Sequence, residues 1–111
     1  MEKKTQEELT NELTELRSKN SKVREFIIPI DEDDETQTVT LFLKPVNKMV
    51  RQIVEKTAKT NVEKAVYDGL KLLQLGGDSL DLITNNDYAM VVAEQGLVKY
   101  MAVADVIIKK N

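Results

Sequence analysis

Two adjacent glycines, an acid and a hydroxyl stand together in LQLGGDSL, residues 73–80. They are the residues of this chain best suited by type to cradle a phosphate. A P-loop, however, sets its glycines ahead of a Lys-Ser or Lys-Thr pair that opens a helix, so that the lysine reaches the phosphates. After Gly77 the next lysine is Lys99. A dinucleotide fingerprint needs a preceding strand and three spaced glycines, and neither is read here. The spacing instead predicts a helix that stops and another that starts. Gly76 or Gly77 would take the left-handed conformation that closes a helix. Asp78 or Ser79 would accept hydrogen bonds from the next free amides.

Other groups offer chemistry by type but not by arrangement. Asp78, Asp81 and Asp87 lie close in sequence. A general acid/base pair needs burial or a charged neighbour to move its pKa values, and these three sit where helix caps are expected. The run Asp31-Glu32-Asp33-Asp34-Glu35 lacks the glycine and the spaced acids of a calcium loop, and reads as a solvated hairpin tip. Lys44, Lys48, Arg51, Lys56 and Lys59 form a basic face, but Glu55 and Glu63 interrupt it and no aromatic residues interleave for base stacking. The chain has no histidine and no cysteine, which removes the commonest general base and metal ligand and all thiolate chemistry. No catalytic residue, metal or cofactor is expected, and the chain is read as a non-enzyme. The net charge of −3 and pI near 5.0 argue against a nucleic-acid partner.

The elements that carry these residues follow from periodicity. A length of 111 residues suits one domain, with a core of Leu, Ile, Val, Met and Ala. Residues 4–20 predict an amphipathic helix, with Leu9, Leu13 and Leu16 in a thin stripe and Thr5 and Glu8 in a capping box. Residues 1–22 are read as an arm, docked loosely or ordered by a partner, and 23–111 as the domain. Residues 24–30 and 37–44 predict a β-hairpin, with Pro29 at an edge or strand end. Pro45 is expected to open a helix whose apolar positions are Val46, Met49, Val50, Ile53 and Val54. Thr60 or Asn61 caps a second helix, residues 62–75, in which Gly69 would let a neighbour approach. A short helical turn follows. Asn86 or Asp87 then caps a long apolar helix to about residue 109. The fold class is α+β, mainly α: an N-terminal helix, one hairpin, then a small helical bundle.

The last helix carries the functional expectation. Its apolar residues spread around most of its circumference, and a chain this short offers few elements to wrap it. Tyr88, Val91, Val92, Val98, Met101 and Ile108 are the expected protein contacts, and a homo-oligomer is the expected state. The polar N-terminus is unlike a signal peptide, and no apolar run approaches the roughly 18–20 residues of a membrane span. The expected location is the cytoplasm, with no membrane partner.

The segments VTLFLKPVNKMV, AVYDGLKLLQLGGD and NNDYAMVVAEQGLVKYMAVADVIIKK resemble, in their order, the tail assembly chaperones of long-tailed bacteriophages. The resemblance covers roughly the last two-thirds of the chain. It implies a non-enzymatic protein that oligomerises, binds the helical tape-measure protein, helps recruit tail-tube subunits and is absent from the finished particle. The alternatives are a structural subunit of a phage particle or other assembly, and a small nucleic-acid-binding regulatory module acting through the basic face.

Overall fold

The computed structural model describes residues 3–102. The order is α1 (Gln6–Lys19), β1 (Arg24–Pro29), β2 (Thr38–Leu43), α2 (Lys48–Ala58), α3 (Val62–Leu73), β3 (Gln74–Gly77), α4 (Asp81–Thr84) and α5 (Asp87–Met101). The class is α+β, with a three-stranded antiparallel sheet in the order β1-β2-β3. One sheet face carries α1. The other packs on the remaining helices.

The hairpin forms where alternation places it. Val39, Leu41 and Leu43 point to the main core with Ile28, while Phe42 joins Leu9 and Val23 under α1. The acidic loop is built by its own side chains. Asp31 Oδ1 accepts the Asp33 N–H at 2.9 Å, and Asp34 Oδ1 accepts the N–H of Thr36 at 3.0 Å and its hydroxyl at 2.6 Å. These are Asx turns, which free acids and hydroxyls favour in loops. The Thr36 hydroxyl and then its N–H hold the Asp34 carboxyl below its ordinary pKa.

The double glycine does not end a helix. α3 stops at Leu73, and Gln74–Gly77 runs on as β3, paired antiparallel with β2. Gly77 does have a positive φ of 97°, but it uses that freedom to end a strand. A side chain there would meet the Thr40 carbonyl and the Leu41 backbone. Asp78 follows, only 1% exposed, and corrects the expected exposed helix cap. Its Oδ2 accepts the Thr40 N–H at 2.8 Å, its own N–H donates to the Thr40 C=O at 2.7 Å, and its Oδ1 accepts the Lys4 N–H at 2.8 Å. Lys3 Nζ lies 3.7 Å from the same carboxylate. The carboxylate therefore fastens the start of α1 to the central strand. Glu12 adds a second fastening: its Oε1 accepts the Gly77 N–H at 3.0 Å and Lys4 Nζ at 2.8 Å.

The remaining departures are local. Asn47, not Pro45, begins α2, accepting the Val50 N–H at 2.9 Å, and Pro45 stays in the connector. Only Val50 and Val54 of α2 are buried, so its core stripe is narrower than the spacing implied. Asn61 caps α3. Gly69 is the expected close approach: a Cβ there would stand 2.8 Å from Val54 Cγ2 and 3.2 Å from Leu97 Cδ2. α1 has its capping box, with Thr5 and Glu8 bonded reciprocally at 3.1 Å.

Two predictions follow from these contacts. Asp78→Ala leaves two backbone N–H groups without an acceptor, one of them buried, and lowers unfolding stability by about 2–4 kcal/mol. Asp78→Asn costs nearly as much, because an amide oxygen replaces only one carboxylate oxygen and its NH2 faces the other donor. Urea unfolding measures both, with an exposed Asp33→Asn as the neutral reference. For Glu8, the Thr5 N–H and then the Thr5 hydroxyl hold the carboxyl below its ordinary pKa. Its contribution is thus present above the ordinary carboxylate range and is lost as pH falls through the lower, folded-state value. Amide protection in the first turn of α1 should fall with acid in the wild type relative to Glu8→Gln.

Candidate protein-interaction surface

The position of α5 is set at both ends by side chains that bond distant backbone. At its start, Asn86 Oδ1 accepts the Ala89 N–H at 2.9 Å while Asn86 Nδ2 donates to the Ile30 C=O at 2.7 Å. At its end, the Tyr100 hydroxyl donates to the Lys44 C=O at 2.9 Å, and its ring meets Phe26 edge-on with centroids 6.3 Å apart. Burial raises the Tyr100 pKa against a smaller opposing pull from Arg24, so the phenol stays protonated and able to donate. Ile30 and Lys44 lie at opposite ends of the hairpin, and α5 therefore spans its length.

The buried line of α5 is Ala89, Ala93 and Leu97. Two alanines bring the helix backbone close to α3, α4 and β1 and cover little of its circumference. The expectation that few elements of this chain could wrap α5 is corrected to that extent: three elements pack on it, and one face stays out. The outward row is Asp87, Val91, Glu94 and Val98, at i, i+4, i+7 and i+11. Val91 is 52% exposed and Val98 63%.

The residues expected to make contacts divide accordingly. Val91 and Val98 face out, Tyr88 is half-buried, and Val92 and Met101 pack against the core. Ile108 lies outside the described residues. Sequence reasoning did not single out the residues of α3 beside this row. Val66, Met90 and Val91 line a shallow groove of about 110 Å³, rimmed by Glu63, Asp87 and Glu94. Val62, 44% exposed, lies one turn before Val66 on α3. The available signal was the pairing of Val62 with Val66 at i, i+4, which reads equally as core.

The other sequence candidates do not converge. Asp78 is used in the α1 fastening. Asp81 is exposed, its N–H 3.2 Å from Ser79 Oγ, and Asp87 stands on the outer row of α5. Among the described residues no cluster of three acidic side chains could hold a metal ion. Lys44, Lys48, Arg51, Lys56 and Lys59 are exposed or half-exposed, with exposed Met49 and Ile53 between them. Among the described residues no helix is long and apolar enough to cross a membrane.

No family model, curated protein or solved structure matches this chain. Function must therefore be argued from the surface itself. What that surface offers is apolar side chains on a fixed helix, edged by carboxylates. Apolar side chains exposed in this way are what an apolar face of another protein can cover by excluding water.

If this row is free of a role in the fold, its residues can be exchanged cheaply. The Val91→Asp/Val98→Asp pair should lower unfolding stability in urea by no more than about 1–1.5 kcal/mol, most of it like-charge repulsion with Asp87 and Glu94. Leu97→Ala, on the buried side of the same helix, should cost about 2–4 kcal/mol.

Proposed function

We propose that this chain is a non-enzymatic assembly chaperone of a bacteriophage tail, which holds the helical tape-measure protein and helps recruit tail-tube subunits in the host cytoplasm. The observation that carries the reading is the outward row on α5, with Val91 and Val98 exposed and Val91 beside Val66 of α3. A row with helical spacing on a pinned helix suits a helix laid alongside it, in the helix-in-groove manner. The carboxylate rim of Glu63, Asp87 and Glu94 favours a client whose apolar stripe is flanked by Lys or Arg. The resemblance of residues 39–109 to tail assembly chaperones supports the same reading, since its third segment includes this row.

Co-expression tests it. The gene should lie beside a very long gene for a coiled-coil-rich protein. Its product should stay soluble and co-elute with this chain, and Val91→Asp/Val98→Asp should weaken that association by about tenfold or more, two half-exposed valines being worth on the order of 1 kcal/mol each. A genome neighbourhood without tail genes defeats the proposal. Recovery of this chain in purified particles favours a retained structural subunit instead.

A further inference from the structure

Among the described residues β1 pairs only with β2, and its other edge is a second surface, flanked by Gly96, Lys99 and Tyr100 of α5 rather than by the Val91–Val98 row. We propose that β1 pairs edge to edge, antiparallel, with β1 of a second copy, joining two three-stranded sheets into one of six strands. The proposal does not depend on client binding, and it places self-association at the sheet rather than at the apolar helix from which the sequence argued for it.

The backbone decides which groups face outward. Thr40 turns both its N–H and its C=O away from β1, to Asp78 at 2.8 Å and 2.7 Å. Its ladder partner is Ile27. In an antiparallel pair such non-bonded partners both point outward, so Ile27 presents its N–H and C=O to the free edge. Glu25 does the same by alternation, and Pro29 offers only its C=O. The Ile27 side chain is 55% exposed. That side chain stands on the α1 face with Thr40 and Phe42; on the other face of the edge Phe26, Gly96, Lys99 and Tyr100 form an open, largely apolar shelf of about 360 Å³. An exposed edge with apolar side chains is a template for another strand.

Charge selects a second copy as that strand. Lys22 and Arg24 stand at the start of β1, and Asp31 and Glu32 just past its end. An antiparallel copy turns the basic end of each strand against the acidic end of the other. With Ile27 on the two-fold axis, Ile27 exchanges two hydrogen bonds with its counterpart. The Glu25 N–H then meets the Pro29 C=O of the other copy, and Lys22 and the other copy's Glu32, in the turns just beyond the strand ends, come to the same end of the pair. The N–H that Pro29 lacks falls opposite one Glu25 carbonyl, so the proline removes a single bond at each end. The pairing is isologous and closes as a dimer.

The chain has no cysteine, which makes the test direct. Bonded partners in an antiparallel pair stand about 5.5 Å apart at Cα, within the roughly 4.4–6.8 Å span of a disulfide. Full-length Ile27→Cys should form a covalent dimer under mild oxidation at least about tenfold faster than Met49→Cys, an exposed position on α2. In sedimentation equilibrium the wild type should dimerise. Ile27→Lys should weaken the dimer about tenfold by setting like charges face to face, with an unchanged circular dichroism spectrum. Lys22→Glu should weaken it too, and Lys22→Glu/Glu32→Lys should restore it. A strictly monomeric wild type overturns the proposal, including one whose Ile27 amide is protected by another part of the same chain. So do equal cross-linking rates at positions 27 and 49, and a dimer abolished by Val98→Asp but indifferent to Ile27→Lys.

Discussion

One buried carboxylate holds the layers of this protein together. Asp78 stands where β3 ends and takes the place of a further strand residue: its backbone N–H and a carboxylate oxygen satisfy the two polar groups that Thr40 turns away from β1. Its second oxygen accepts the Lys4 N–H. A buried charge is tolerated only when its lone pairs are met and a countercharge is near, and here two N–H donors and the Lys3 ammonium do both. Removing the carboxylate would loosen the β2–β3 junction and the start of α1 together. Glu12 repeats the device one step away, between the Gly77 N–H and Lys4. The small core under α1, Leu9, Val23 and Phe42, is thin for a helix of fourteen residues. Polar fastenings at its start supply the registry that apolar area alone would leave loose.

That arrangement explains what could be read in advance. The capping box at Thr5, the hairpin, the Asn61 and Asn86 caps and the close approach at Gly69 are local or strongly periodic, and sequence carries such signals well. β3 was not legible. Four residues containing two glycines have no alternation and little strand propensity. What makes QLGG a strand is the neighbouring edge of β2, a tertiary cause. The burial of Asp78 was hidden for the same reason, since its partners Lys4 and Thr40 are 74 and 38 residues away.

The surface of α5 was legible in part. Its apolar excess is plain from composition, and Val91 and Val98 do face out. The sequence overstated that excess because it does not show how thin the covered stripe is. Ala89 and Ala93 bury a helix by bringing backbones together, without large side chains. Val92 and Met101 then reach the core from the flanks. The acidic groove beside Val66 needed the relative placement of two helices and was beyond periodicity.

The α5 row and the β1 edge share one mechanical requirement. A row of valines binds a helix well only if it is already in place, because ordering the binder on contact subtracts from affinity. α5 meets that condition through Asn86 to Ile30 and Tyr100 to Lys44, both on the backbone of the hairpin. The hairpin whose outer edge is unpaired among the described residues is thus also the frame to which α5 is fixed. Pairing two such hairpins would hold two α5 rows in a fixed relation on one rigid sheet, and a long helical client could then engage both. The second engagement would be intramolecular, so affinity would rise without any new kind of contact. On the proposed pairing and client, weak apolar rows of two or three valines would be sufficient in that geometry.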